Sequence, residues 1–132
     1  MSTTTSAPAT AATVGQELVG LCRQGHNGDA IERLYSKNIV SVEPTGSDAM
    51  PAEVKGIDAV HKKHAWWTEN MEVHSAEVRG PFVGDNEFAV YYNYETTFKP
   101  TGQRSAMKEM ALYTVQNGEI VREEFFYKPN AG

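Results

Sequence analysis

Apolar and polar residues mix on both sides of Asn117-Gly118, near the end of the chain. Both central residues of a type I′ turn need a positive φ, and Asn-Gly is the pair that adopts it most readily. The pattern therefore predicts a β-hairpin over residues 105–127. If the turn is Asn117-Gly118, the register pairs Val115 with Ile120, Leu112 with Glu123, Met110 with Phe125, and Lys108 with Tyr127.

This register divides the hairpin into two faces, and each face carries both apolar and charged residues. The first holds Lys108, Met110, Leu112, Thr114, Val121, Glu123, Phe125 and Tyr127. The second holds Met107, Glu109, Ala111, Tyr113, Val115, Ile120, Arg122, Glu124 and Phe126. Since neither face is purely polar, we expect other structure to cover both of them.

Helical periodicity dominates the first half of the chain. A stripe of Val14, Leu18, Leu21 and Cys22 predicts a helix that begins at Thr13 and stops at Gly25. A second, short helix is predicted after Asn27. A third follows Gly56, with an apolar stripe of Ile57, Val60, His64, Trp67 and Met71, whereas His61, Lys62, Lys63 and Glu69 are predicted to lie largely elsewhere.

Strand patterns fill the rest of the chain. Residues 39–43 are rich in β-branched residues and end at Pro44, and residues 44–55 are expected to form a loop. Two more strands are predicted over residues 73–79, broken by Gly80-Pro81, and residues 88–98. Helices followed by a run of antiparallel strands predict an α+β fold, with the helices on one face of a curved sheet. We expect a disordered arm (residues 1–12), one domain (13–128) and a short tail (129–132).

The composition of the chain argues against some classes of binding partner. The chain has 132 residues, a net charge of −5, a pI of about 5.3 and one cysteine. An acidic surface argues against nucleic-acid and anionic-membrane partners. The single cysteine, and the lack of an apolar segment typical of a membrane span or signal peptide, lead us to expect a cytoplasmic protein.

The order of elements and three segments resemble the nuclear transport factor two-like superfamily, and the SnoaL-like proteins most closely. The segments are AIERLYSKNIVSVEP (residues 30–44), GIDAV (56–60) and NGEIVR (117–122). The resemblance implies a cone-shaped, barrel-like fold in which three helices and a strongly curved, mainly antiparallel sheet enclose an apolar pocket. It also implies a homodimer through the outer face of the sheet. Relatives include ketosteroid isomerases, limonene-epoxide hydrolases, polyketide cyclases, dehydratases and binding domains.

The resemblance assigns roles to a few positions. In ketosteroid isomerases the acidic residue before the proline is the general base, which corresponds to Glu43 here. Two hydroxyl donors of those enzymes have no match, because residues 19–22 contain no Tyr and the acidic position falls near Met110. Of the two catalytic positions of SnoaL-like cyclases, one corresponds to Glu123 and the other to Phe125. The alignment also turns the face with Lys108 and Glu123 inward, and it leaves Glu109, Arg122 and Glu124 for a partner subunit or solvent.

The candidate catalytic residues are Glu43 as the base, with His74, Glu123 or Tyr127 as proton donor. Burial raises the pKa of a carboxylic acid, and His titrates near neutral pH, so these residue types suit proton transfer. Lys108 and Glu123 form either a structural ion pair or a donor–acceptor pair that orients a ligand. Candidate ligand-binding residues are His64, Trp67, Val90, Tyr92, Tyr94, Lys108, Met110, Leu112 and Phe125.

The sequence thus leads us to expect a pocket for a small apolar or aromatic carbonyl compound. One function is that of an isomerase, cyclase or dehydratase that transfers a proton next to the carbonyl without a cofactor. The alternative is a binding or dimerisation module without turnover, which the missing hydroxyl donors favour. No spacing of the four His residues and Cys22 suggests a metal site.

Overall fold

The computed structural model describes residues 9–48 and 50–128. The expected arm and tail lie in large part outside these residues. The chain forms, in order, α1 (Ala11–Arg23), α2 (Asn27–Leu34), β1 (Tyr35–Val42), β2 (Glu53–Lys55), α3 (Ile57–Asn70), β3 (Met71–Val83), β4 (Glu87–Phe98), β5 (Gln103–Gln116) and β6 (Glu119–Phe126).

The six strands form one open sheet in the order β2-β1-β6-β5-β4-β3, with the three helices packed on it. The β1–β6 pair is parallel, and every other neighbouring pair is antiparallel. One face of β4 (Phe88, Val90, Tyr92) packs against the buried stripe of α1 (Val14, Leu18). The α+β architecture predicted from the sequence is confirmed.

The first helix begins earlier than predicted. Thr10, rather than Thr13, is the N-cap, and the two side chains cap each other's backbone N–H groups. At the other end, Gly25 has a φ of 78°. Its N–H and that of His26 donate to the carbonyls of Cys22 and Leu21, which is the Schellman arrangement that ends a helix. The predicted stop at Gly25 is therefore confirmed.

Two strand predictions need correction. Part of the predicted loop, Glu53–Lys55, is the edge strand β2, which pairs with Val40–Val42 of β1. Gly80-Pro81 does not end β3, because the strand continues to Val83 across a register shift between Arg79 and Phe82. The lack of a proline N–H is tolerated there because β3 is an edge strand.

The hairpin β5–β6 turns at Asn117-Gly118, and both residues have a positive φ, as predicted. Val115 lies opposite Ile120, but Thr114 lies opposite Arg122, so Val121 is an extra residue in β6. A bulge of this kind reverses which residues of the strand point to a given face. Beyond it, Glu123 lies opposite Tyr113 and Phe125 opposite Ala111, so the predicted pairs with Leu112 and Met110 are wrong.

The bulge changes the composition of both faces. The inner face combines Glu109, Ala111 and Tyr113 of β5 with Glu123 and Phe125 of β6. The outer face carries Met110 opposite Phe126, and these side chains are 38% and 49% exposed. The homodimer expected through this outer face stays a prediction.

Two glycines of α1 offer a matched test of how closely this helix packs. A Cβ at Gly15 would lie 2.8 Å from Cβ of Pro81 and 3.0 Å from Cγ of Phe88, whereas a Cβ at Gly20 would contact nothing within 4 Å. We expect Gly15→Ala to lower the free energy of unfolding by about 1–3 kcal/mol through overpacking. Gly20→Ala should raise it by about 0.5–1 kcal/mol, since alanine favours the helix. Urea titrations measure both, and a stabilised Gly15→Ala variant would contradict this packing.

Candidate functional site

A cavity of about 630 Å³ lies between the helices and the inner face of the sheet. This volume is within the usual range for a small-molecule site. Apolar and aromatic side chains form most of its wall, and a smaller set of ionisable groups projects from β1, α3, β5 and β6. The loop that follows β1 contributes Thr45, Gly46, Ser47, Met50 and Pro51.

Glu123 carries the most deeply buried carboxyl group of this cavity, with the residue 4% exposed. It accepts a hydrogen bond from the Tyr35 hydroxyl on one oxygen and from Ser41 Oγ, at 2.7 Å, on the other. Burial raises the pKa of Glu123, and the two hydrogen bonds oppose that rise. The residue is therefore held in place by its neighbours on β1.

Lys63 connects this buried group to a second carboxylate. Its Nζ donates to Ser41 Oγ and to Oε2 of Glu43, both at 2.8 Å, and lies 5.5 Å from the ring centre of Phe125. The other oxygen of Glu43 accepts a hydrogen bond of 2.8 Å from the Tyr127 hydroxyl. Glu43 is thus fixed through both oxygens, at the point where β1 ends.

Glu109 is the third carboxylate that faces the cavity. It is half-buried on β5, directly opposite Tyr92 of β4. In the described part of the chain, no side chain forms a hydrogen bond or an ion pair with it within the usual distance limits. Burial, and then the charges of Glu43 and Glu123, raise the pKa of Glu109 to about 7. This carboxyl is consequently a mixture of acid and carboxylate near neutral pH.

The floor of the cavity, against α1, is made of tyrosine hydroxyls and a thiol. The hydroxyl oxygens of Tyr92 and Tyr113 lie 2.7 Å apart, and Cys22 Sγ lies 3.8 Å from that of Tyr92. Burial raises the pKa of both tyrosines well above its usual value and that of the Cys22 thiol to about 11. These groups are therefore protonated at neutral pH.

An aromatic wall lies above this floor. The ring centres of Trp67 and Tyr94 are 6.0 Å apart, and Tyr94 stacks on Tyr92 at 5.6 Å. His64 lines the same region, and burial, followed by the charge of His61, lowers its pKa. Flat rings on one side suit a flat apolar ligand.

Most of the residues proposed from the sequence line this cavity. They comprise Glu43, Glu123 and Tyr127 of the catalytic candidates, and His64, Trp67, Tyr92, Tyr94 and Phe125 of the ligand-binding candidates. Their roles in chemistry or binding stay predictions.

Four ligand-binding candidates lie elsewhere. Val90 has no exposed surface and belongs to the core. Lys108, Met110 and Leu112 alternate with the cavity-facing residues of β5, so they point away from the cavity. The inward assignment of these three residues is wrong, because it continued the hairpin register through the bulge. Lys108 and Glu123 are therefore on opposite faces of the sheet and form neither the ion pair nor the donor–acceptor pair proposed from the sequence.

His74 does not line the cavity either. A register shift between Val73 and Ser75 takes it out of the strand alternation, and it is exposed. Its Nε2 lies 2.7 Å from Oγ1 of Thr97, and its Nδ1 lies 3.6 Å from the carboxylate of Glu72. With its ring held at these contacts, His74 has no access to a ligand in the cavity.

The sequence interpretation missed Lys63, Glu109, Ser41 and Tyr35. The sequence interpretation leaves Lys63 outside the apolar stripe of α3. Its position is nevertheless on that face, because the spacing i, i+3, i+4, i+7 of one helix face is that of Val60, Lys63, His64 and Trp67. That spacing was a usable signal. Glu109 was assigned to a partner subunit or solvent, and only the bulge shows that it faces the cavity.

In the part of the chain that the structure covers, no three His, Cys, Asp or Glu residues are grouped so as to hold a metal ion. A membrane-spanning helix is likewise not found in residues 9–48 and 50–128.

The raised pKa of Glu109 predicts a dependence of stability on pH. The folded state binds the proton more tightly than the unfolded state, whose value is near 4.5. The stability due to this group is therefore full below pH 4.5 and is lost as the pH rises through about 7. We expect Glu109→Gln to lose less stability than wild type between pH 4.5 and 8 in urea titrations. Glu119→Gln, at an exposed position of β6, should parallel wild type, and a parallel curve for Glu109→Gln would contradict the prediction.

Comparison with known proteins identifies the family. The model of the SnoaL-like domain matches residues 9–127. A Mesorhizobium loti structure, described as a candidate SnoaL-like polyketide cyclase, is 38% identical with a TM-score of 0.84 over 89% of this chain and 99% of that one.

Two more distant structures show the same fold. A candidate isomerase from Bacillus subtilis is 16% identical with a TM-score of 0.70, over 90% of this chain and 86% of that one. A nuclear transport factor two-like protein from Burkholderia thailandensis is 15% identical with a TM-score of 0.74, over 89% of each chain. A search of curated proteins finds no match. The chain belongs to the SnoaL-like family.

Proposed function

We propose that this protein is an enzyme that transfers a proton next to the carbonyl group of a small, flat, apolar molecule, without a cofactor. Isomerisation, cyclisation and dehydration all share this step. The observation that carries the proposal is the pair of carboxyl groups, Glu43 and Glu109, which face one cavity from unlike surroundings. Two carboxyl groups in unlike surroundings can divide the roles of base and acid between them.

Glu43 is suited to the role of base. Lys63 and Tyr127 each hold one of its oxygens at 2.8 Å, so the carboxylate has a fixed direction toward the cavity. A general base that is already oriented avoids the entropy cost of positioning in the transition state. In this mechanism Glu43 accepts the proton from the carbon next to the carbonyl.

Glu109 is suited to the role of acid. Its pKa of about 7 leaves a substantial protonated fraction at neutral pH. A protonated carboxyl in an apolar site can donate a hydrogen bond to the oxygen on which negative charge develops. The sequence comparison located the lost acidic donor near Met110, and Glu109 is the adjacent residue with its side chain in the cavity.

The surroundings favour an uncharged ligand. Lys63 is the only lysine or arginine among the described residues of the cavity wall, and Glu43 and Ser41 already accept its hydrogen bonds. An anionic substrate would face the carboxylates without a free cation. The stacked Tyr92 and Tyr94 rings, with Trp67 beside them, offer a surface for a flat ring system.

The first test uses 2-tetralone, a flat aromatic ketone, in D₂O. We expect the wild-type protein to catalyse the exchange of the ketone's α-hydrogens for deuterium, and proton NMR measures the rate of this exchange. We expect Glu43→Gln to reduce the catalysed rate by about 100-fold or more, because it removes the general base.

Glu119→Gln is the matched control, since it makes the same change at an exposed position. Its exchange rate should equal that of wild type. Unchanged exchange in a folded Glu43→Gln variant would remove Glu43 from the mechanism. Ligand binding without exchange by the wild-type protein would instead support the non-catalytic binding module.

The second test uses the pH dependence of kcat/KM for the same exchange. Loss of the proton from Glu109 should lower kcat/KM above about pH 7, because the carboxylate cannot donate to the developing oxyanion. In Glu109→Gln this decrease should disappear, since glutamine does not titrate. If the decrease persists unchanged in that variant, Glu109 is not the acid.

A further inference from the structure

The hydroxyls of Tyr92 and Tyr113, here called the hydroxyl pair, lie on the cavity floor beside Cys22. Their oxygens are 2.7 Å apart, and both residues belong to the cavity wall although they are only 3% and 2% exposed. The proposed proton transfer makes no use of them. Two buried hydroxyls at the end of a largely apolar cavity therefore need an explanation.

The hydroxyl pair can form one more hydrogen bond than it forms within the protein. Each hydroxyl has one hydrogen, and one of the two hydrogens is used between the tyrosines. If Tyr113 donates to Tyr92, the Tyr92 hydrogen has only the weakly accepting Cys22 sulfur, 3.8 Å away. If Tyr92 donates to Tyr113, the Tyr113 hydrogen has no acceptor within hydrogen-bonding distance among the described residues. In both arrangements Tyr113 can still form one further hydrogen bond.

The neighbouring carboxylate does not take up this capacity. Glu123 lies opposite Tyr113 in the sheet, but its two oxygens accept from Tyr35 and Ser41. Because the pKa of both tyrosines is raised, both hydroxyls stay protonated at neutral pH. The hydroxyl pair can therefore either donate to a ligand or accept from it, depending on which way its internal hydrogen bond points.

The hydroxyl pair and Glu43 are carried by different elements of the cavity wall. Glu43 lies just beyond the end of β1, beside Tyr127 that follows β6, whereas the hydroxyl pair belongs to β4 and β5 and lies beside Cys22 of α1. The aromatic wall of Trp67 and Tyr94 forms another side of the same cavity. A flat ligand with its reacting carbonyl at Glu43 can direct its remote end toward the floor.

We propose that the hydroxyl pair is a second polar subsite, which binds a hydroxyl or carbonyl oxygen at the end of the ligand remote from Glu43. The ligand class is then a flat apolar carbonyl compound with a second oxygen at its far end, such as a phenolic ketone. The orientation of this ligand rests on the proposed function, whereas the recognition of the far oxygen does not. A buried polar group that loses its partner is costly, so such a subsite discriminates against ligands without the second oxygen.

The test compares two ketones that differ by one hydroxyl, 2-tetralone and 6-hydroxy-2-tetralone, by isothermal titration calorimetry. The 6-hydroxyl is at the opposite end of the ring system from the ketone. We expect wild type to bind the hydroxylated compound about 5- to 10-fold more tightly, the size of one added hydrogen bond. In Tyr92→Phe and Tyr113→Phe this preference should fall to about 1.

Two controls make the result specific. Tyr91→Phe removes a hydroxyl from the other face of β4, outside the cavity wall, and should keep the wild-type preference. The affinity of each variant for plain 2-tetralone reports whether its cavity is intact. Equal affinities in wild type, a preference that survives in both Tyr92→Phe and Tyr113→Phe, or binding of neither ketone would overturn the proposal. Because only equilibrium binding is measured, the result is independent of whether exchange occurs.

Discussion

Burial of the Glu123 carboxylate is the constraint on which the rest of the site depends. A buried carboxylate without hydrogen bonds is strongly destabilising, so its neighbours must satisfy it. Tyr35 and Ser41 do so directly, and Ser41 in turn accepts from Lys63, which holds Glu43. The residue buried in the sheet thereby fixes the direction of the carboxylate that we propose as the base.

The sequence was sufficient for the fold because the helices and the long strands carry strong local signals. Apolar spacing gave the stripe of α1, and the positive φ required at Asn117-Gly118 gave the hairpin turn. The short edge strand β2 was missed because three residues are too few to show an alternating pattern. Gly80-Pro81 suggested a strand end, although an edge strand tolerates proline.

The site was only partly predictable, because one extra residue changes the face of a strand. Glu43, Glu123 and Tyr127 were found through family resemblance, and they line the cavity. The Val121 bulge carries no marker in the sequence, so the register beyond it was continued incorrectly and Lys108 was exchanged for Glu109. Whether a titratable group is buried depends on such long-range geometry, and the pKa of Glu109 was therefore beyond the reach of the sequence.

The central claim is that burial and the neighbouring carboxylates leave Glu109 partly protonated near neutral pH, so that it can act as the acid. Carbon-13 NMR of protein labelled at the glutamate side-chain carboxyl measures this directly, with Glu109→Gln used to assign the resonance. We predict that the Glu109 resonance titrates with a midpoint of about pH 7. A midpoint near 4.5, the ordinary value for glutamate, would contradict the assignment of Glu109 as the acid.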